Sequence, residues 1–339
     1  MLNKKVCLIH AGGTIGMTKS ERGYVTKTGY LKERLEAISD LYVNGMPDFE
    51  LYEMSPLLDS SNMAVNEWNR IGSIIAELYE KYDGFVILHG TDTMAYTASS
   101  LSFMLENLDK PVIITGSQIP LCEIRSDGRD NLITSMLIAA AGKVREVCLY
   151  FGGRLLRGNR ATKMSADGLM AFDSPNFPRL AEAGINIKYY PTALKKKTEK
   201  PLSFVPFSEV PIGVLKVFPG INFSLFDAVM TEKLKGVVLE TFGAGNIPGD
   251  GNALLPIIRA AFSAGAVITV CSQCPVGAVS LGAYAASAEL LSAGAVSGFD
   301  MTTEAAVAKL YYLFSKGFST DEIKAKMETD IAGELTRAK

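Results

Sequence analysis

Three short segments pair glycine with hydroxyl side chains: Gly12-Gly13-Thr14-Ile15-Gly16, Gly90-Thr91-Asp92-Thr93 and Gly116-Ser117-Gln118. A hydroxyl is a poor nucleophile until a base takes its proton. Histidine, the usual base, is scarce: the chain holds only 2, His10 and His89. Both end apolar runs, where a satisfied core or rim histidine is commoner than a catalytic one. The remaining candidates are Tyr24, in a Gly23-Tyr24 loop, and Lys163, in Gly158-Asn159-Arg160-Ala161-Thr162-Lys163. A lysine becomes a base only where burial or nearby positive charge lowers its pKa. The bland readings are a loop tyrosine, a surface lysine, and threonines that merely cap helices after each strand. Recurrence of the pattern favours one shared site. A phosphate cradle fits less well. There is no G-x-x-x-x-G-K-[ST], and the first segment is not G-x-G-x-x-G.

Such residues need strands to present them. Val6 to His10, Phe85 to His89, Pro111 to Thr115 and Val147 to Phe151 are apolar runs, each closed by glycine within a residue or two. Uninterrupted apolar runs of this length suit strands covered on both faces, as in parallel sheets. Between them Ile71, Ile74, Ile75 and Leu78 form a helical stripe. Ala95 to Leu105 and Asn131 to Ala141 also read as helices. In open parallel sheets the ligand crevice lies beyond the carboxyl ends of the strands, where the glycine–hydroxyl segments fall. Residues 190–211 hold Pro191, Lys195, Lys196, Lys197, Lys200, Pro201 and Pro206 and read as an exposed linker. Alternation then resumes, with strands at Ile212 to Val217, Gly236 to Leu239 and Ala266 to Cys271. Helices follow at Leu254 to Phe262 and Ala305 to Phe314. The expected fold class is α/β, with two α/β domains of mostly parallel sheet: residues 1–189 carry the chemistry, 190–211 link, and 212–339 form a smaller domain.

Composition narrows the functions. The chain has 339 residues, 48% hydrophobic and 21% charged, with 34 basic against 36 acidic side chains. That balance disfavours a generic nucleic-acid binder, which needs a basic surface. No apolar run approaches the ~20 residues of a membrane-spanning helix. Five cysteines without a secretory leader argue for a reducing cytoplasm. Cys271-Ser272-Gln273-Cys274 is a single C-x-x-C pair, a weak zinc signal, and reads better as two small buried or rim residues. Neither a metal nor a cofactor is expected.

The same segments resemble the bacterial-type L-asparaginase family. Gly12-Gly13-Thr14-Ile15-Gly16 is similar to its first signature, and His89-Gly90-Thr91-Asp92-Thr93-Met94 to its second. Asp59-Ser60-Ser61-Asn62-Met63 and Lys163 match further family positions. So do Val238 to Asn246 and Gly298 to Leu310. Ala161-Thr162-Lys163 and Gly282-Ala283-Tyr284, with no leader, resemble the cytoplasmic type I branch. The resemblance implies hydrolysis of L-asparagine to L-aspartate and ammonia. Thr14 would attack the side-chain amide, with Tyr24 holding or deprotonating its hydroxyl. Thr91, Asp92 and Lys163 would form a second triad. Which threonine carries the acyl group is left open. Ser60 would bind the substrate α-carboxylate and Asp92 its α-ammonium. Gly13, Ser61, Gly90, Asn246 and Tyr284 would line the site, and backbone N–H groups near Gly13 and Thr91 would serve as oxyanion donors. Thr162 and Cys274 mark a candidate regulatory pocket. Tyr24 would ride on a mobile loop flanked by Gly23 and Gly29. A homodimer or dimer of dimers is implied, with no nucleic-acid or membrane partner. The alternatives are a glutaminase-asparaginase, an amidotransferase-type deamidating subunit, and a non-enzymatic binder on the same scaffold.

Overall fold

The structure, a computed structural model, describes residues 4–21, 23–248, 253–283 and 285–337. The chain divides into two compact units, Met1–Pro206 and Phe207–Lys339.

The first unit is built on an eight-stranded sheet. Its order is Ile187–Tyr189, Ala181–Ala183, Arg154–Arg157, Val147–Phe151, Val112–Thr115, Gly84–Leu88, Lys5–Gly12 and Asp48–Leu58. The five strands from Val147–Phe151 to Asp48–Leu58 run parallel, and the other three continue the sheet antiparallel. Val6, Leu8, Val86, Leu88 and Ile113 share one core cluster with Leu132 and Met136 of the helix Gly128–Ala141. Cys7, Ile9, Phe85 and Ile87 alternate with them and so face the other side, and all four are buried too. Burial on both faces explains the unbroken apolar runs. The edge strand Asp48–Leu58 differs. Its residues alternate between exposed and partly buried, and the polar half of that pattern hides it from a search for apolar runs.

Glycines let the strand ends come together. Gly13 has φ 87°, and a Cβ there would lie 2.2 Å from the Gly90 nitrogen. A Cβ on Gly90 would lie 2.4 Å from the Ser60 Oγ. The backbones at Gly13 and Gly90 are therefore in contact, and only glycine permits it.

Residues 190–211 have packing of their own. Ala193 is buried, and Ser203–Phe204 pairs with Leu105–Glu106. The buried Arg157–Glu146 ion pair holds the start of this stretch. Arg157 donates to the Ala193 carbonyl at 2.9 Å, and Glu146 accepts from the Lys195 N–H at 3.0 Å.

The second unit holds four parallel strands in the order Ile212–Lys216, Gly236–Thr241, Val267–Ser272 and Val296–Ser297. Leu239, Ile268 and Val270 pack with Leu254, Ile257 and Ile258 of the helix Leu254–Ser263. The helix Thr320–Met327 starts at a reciprocal cap between Ser319 and Glu322. No described helix is long and apolar enough to cross a membrane.

Candidate active site

The two segments ending at Thr14 and Thr91 start from the Gly13–Gly90 contact, so the threonines lie one residue beyond a shared point. Neither histidine serves them. His89 is fully buried. Its Nδ1 lies 2.7 Å from the Gly90 carbonyl and its Nε2 2.9 Å from the Thr97 Oγ1, which in turn accepts from the Trp68 indole. Burial lowers its pKa to about 4. It is a neutral ring with both nitrogens engaged, fixing the end of its strand. His10 is likewise buried, with Nδ1 3.3 Å from Glu53 Oε2.

Thr91 is the better furnished hydroxyl. The Lys163 Nζ donates to its Oγ1 at 2.9 Å and to Asp92 Oδ1 at 2.7 Å. The Thr91 hydroxyl donates in turn to Gln118 Oε1 at 3.2 Å. Lys163 reaches this point from the short strand Thr162–Lys163, paired with Phe172–Asp173. Its side chain is 20% exposed, whereas that of Asp92 is 67% exposed. Thr91 and Asp92 just precede the helix Met94–Met104, whose N-terminal dipole favours a carboxylate. Thr93 occupies the cap position, but its side chain makes no cap. It donates instead to the Ser60 carbonyl at 2.7 Å, tying the Ser60 turn to this helix.

Gln118, in the segment Gly116-Ser117-Gln118, is a site residue that residue type and spacing alone do not reveal. Two carbonyls, of Ala166 and Gly168, accept from its amide. That fixes which end of the amide faces Thr91. Asp127 shapes its loop by accepting from the N–H groups of Gln118 and Ile119 and from the Asn131 amide. The Gly-Ser-Gln pattern was the available signal. Ser117, its hydroxyl, is buried against Gly128 instead.

Thr14 opens a short 3-10 turn, Thr14–Gly16, with Gly13 in the cap position. Its hydroxyl is thus not used as a cap. Among the described residues it has no hydrogen-bond partner. Tyr24 stands on a strand, because Met17–Ser20 and Gly23–Thr26 form a hairpin where a loop was expected. Its hydroxyl donates to Glu123 Oε1 at 2.9 Å, beside the Lys19 Nζ at 2.7 Å. The bond to the Glu123 carboxylate raises the tyrosine pKa. Tyr24 and Thr14 are not hydrogen-bonded to each other in this structure.

Ser60 is buried, in the turn Ser60–Asn62 whose cap is Asp59. Ser61 is exposed and donates its N–H to Asp59 at 3.1 Å. The Gly13 N–H is committed to the Leu58 carbonyl at 3.2 Å. Asn246 belongs to the second unit, in a tight turn bridging back to Phe242. Tyr284 lies outside the described residues. Thr162 pairs with Asp173 in the first unit, while Cys274 is an exposed free thiol in the second. Its neighbour Cys271 is buried with a pKa raised to about 12 by burial, which makes it an inert thiol.

A hydroxyl, a lysine and a carboxylate gathered at the carboxyl ends of parallel strands form a site suited to acyl transfer. Comparison with known proteins is consistent with it. Residues 5–195 match the family described as asparaginase, N-terminal, and residues 211–327 the glutaminase/asparaginase C-terminal domain. The chain is 46% identical over 336 residues to L-asparaginase 1 of Escherichia coli (strain K12), covering 99% of both. Its fold matches the crystal structure of L-asparaginase I from Vibrio cholerae with a TM-score of 0.92, at 45% identity over 98% of this chain and 99% of that one. The thermostable L-asparaginase from Thermococcus kodakarensis matches with a TM-score of 0.90, at 32% identity over 98% of this chain and 100% of that one. The chain belongs to the asparaginase family.

Proposed function

We propose that this protein hydrolyses L-asparagine to L-aspartate and ammonia through an acyl-enzyme on Thr14. The observation that carries the reading is the Lys163 ammonium set between Thr91 and Asp92, in a chain of this family. Thr14 is the nucleophile because its hydroxyl is uncommitted. The Thr91 oxygen already accepts from a lysine, which reduces its electron density for attack.

Thr14 Oγ1 adds to the side-chain amide carbon. The Thr14 hydroxyl proton passes through Tyr24 to the amide nitrogen, collapse breaks the C–N bond, the nitrogen leaves as ammonia, and a β-aspartyl ester remains on Thr14. Water then adds to the ester carbon, the Thr14 C–O bond breaks, a proton from the water restores the hydroxyl, and aspartate leaves. The Thr91 N–H, which no protein acceptor takes among the described residues, would stabilise the oxyanion. Ser60 would receive the substrate α-carboxylate and Asp92 its α-ammonium, with Gly13, Ser61 and Gly90 shaping the floor. Tyr24 would activate Thr14 only after its hydroxyl leaves Glu123. Lys163 would act as base only once it has lost a proton and the Thr91 hydroxyl has turned from Gln118 toward Nζ.

The five free cysteines support a reducing cytoplasm. We further read the enzyme as a homo-oligomer, with Thr162 as part of a second asparagine site and Cys274 as a separate regulatory candidate. Sigmoidal rates against asparagine that become hyperbolic in Thr162→Ala would support that site, and hyperbolic rates in the parent would remove it. Ammonia release from asparagine and glutamine tests the main reading. Asparagine should be the faster substrate. Thr14→Ala should lower the rate ~10⁴-fold or more, as loss of a nucleophile does. Equal release by parent and Thr14→Ala would overturn it.

A further inference from the structure

The hairpin carrying Tyr24 begins just after Gly16 and ends three residues before Gly29. One side-chain pair touches both feet. His10 and Glu53 are register partners on adjacent parallel strands, with Nδ1 3.3 Å from Oε2. At the outgoing foot, the Nε2–Cε1 edge of the imidazole packs against Gly16. A Cβ there would sit 2.5 Å from His10 Nε2. At the returning foot, Glu53 Oε1 accepts the Gly29 N–H at 2.8 Å. Gly29 is in the left-handed region, φ 77°, and caps the next helix, Tyr30–Glu36.

With the carboxylate as acceptor, Nδ1 must carry the ring proton. Nε2 is then a bare lone pair, buried and without a hydrogen-bond partner among the described residues. Burial lowers the pKa of this ring, in keeping with a neutral imidazole. A buried polar atom left unpaired costs stability, so packing alone gives no reason for histidine here. Beyond the feet, the Cys122 thiol meets the Met17 carbonyl at 3.6 Å, and Glu123 makes a rim contact through Lys19 and Tyr24. Exposed pairs of that kind hold weakly. The firm attachment is at the feet.

We propose that His10 and Glu53 are positioning residues that set the placement of Tyr24 by fixing both ends of its hairpin. This rests on the reading above, in which Tyr24 serves the reaction. Ser60 and Asp92, the residues assigned to substrate, stand on other turns. Loosening the feet should therefore lower kcat and leave KM nearly unchanged.

The test is a double-mutant cycle between Glu53→Ala and Tyr24→Phe, read as kcat and KM for asparagine, together with hydrogen exchange of residues 17–29 without substrate. Glu53→Ala should lower kcat ~10-fold or more, since small misplacements of catalytic groups are costly, with KM within ~2-fold. In the Tyr24→Phe background the same change should cost less than ~2-fold, because coupled groups are not additive. Glu53→Gln keeps an acceptor for Gly29 and should recover most of kcat. Amides 17–29 should exchange faster in Glu53→Ala, while those of Gly84–Leu88 stay as in the parent. A kcat loss of equal size with and without the Tyr24 hydroxyl would overturn the proposal, as would unchanged exchange in the hairpin. Should the parent release no ammonia, the functional reading fails, and exchange alone still decides whether the pair anchors the hairpin. Should Glu53→Ala not fold, Glu53→Gln carries both arms: faster hairpin exchange than in the parent, or a kcat as low as that of Tyr24→Phe, would overturn it.

Discussion

Thr14 and Thr91 start one residue beyond the same backbone contact, yet their surroundings differ in kind. Thr91 is held by Lys163 and Gln118, and Asp92 holds the same lysine. Each of those stands on a strand, turn or loop tied to the main sheet. Thr14 has an uncommitted hydroxyl, and its expected partner, Tyr24, is 44% exposed and bonded to Glu123. One half of the candidate site is assembled in the free protein. On the proposed reading, the other half depends on a hairpin that would have to move its tyrosine. The contrast places stored order on the Thr91 side and conformational work on the Thr14 side. A residue on the rigid side should therefore change the chemistry alone. A residue on the hairpin should change how often the chemistry can begin.

Removing the ammonium from the assembled half is the harshest way to break this contrast. Lys163→Met should lower kcat ~10³-fold, within the range for a positioned acid–base group, while the protein keeps its melting temperature to within a few degrees. A loss of less than tenfold would show that the preassembled set is not the working one.

The rigidity of the Thr91 side has a pH limit. His89 is buried neutral, with a pKa of about 4 in the folded protein against 6.5 for the free ring. As pH falls through 6.5 the unfolded chain binds a proton that the native protein refuses, so the stability held above 6.5 declines. The loss is complete near pH 4 and amounts to roughly 3 kcal/mol. His10 adds to it with the same sign, because burial lowers its pKa as well. Urea unfolding between pH 7.5 and 4.5 should show this slope, and His89→Gln should flatten it. An unchanged slope in that variant would mean the ring is not held neutral.

On the hairpin side the effects should be smaller. Tyr24→Phe should cost 10- to 100-fold in kcat, with KM for asparagine little changed. Steady-state rates decide it, and a purely KM effect would reassign Tyr24 to binding. Smallest of all, Glu123→Gln weakens the rim contact that holds Tyr24 away from Thr14. We expect kcat to change by no more than ~3-fold, and upward. A fall comparable to that of Tyr24→Phe would mean that Glu123 holds the tyrosine in its working place.

The same contrast explains what could be read from the sequence. Strands buried on both faces announce themselves as apolar runs, and Val147 to Phe151 coincides with its strand end to end. The edge strand Asp48–Leu58 does not, because only one side of it meets the core. Arg154–Arg157, Ala181–Ala183 and Ile187–Tyr189 are short, and their pairing comes from the sheet they join. The hairpin at residues 17–26 has no apolar face, so nothing in its periodicity separates it from a loop. The glycine–hydroxyl pattern pointed to the strand ends. Spacing could not join Lys163 to Thr91 across 72 residues; the family resemblance suggested that pairing. Nor could it foresee that Glu123 takes up the Tyr24 hydroxyl, a contact set by side-chain placement 99 residues apart.

The division of labour between the two threonines can be tested on the protein itself. Lys163→Met, mixed with asparagine, quenched in acid and digested, should accumulate one aspartyl group on the peptide holding Thr14, because attack remains possible while water addition is slowed. Mass spectrometry of the peptides holding Thr14 and Thr91 reads it directly. An aspartyl ester on Thr14 is the predicted result. An ester on Thr91, or full turnover with none on either, would contradict the account.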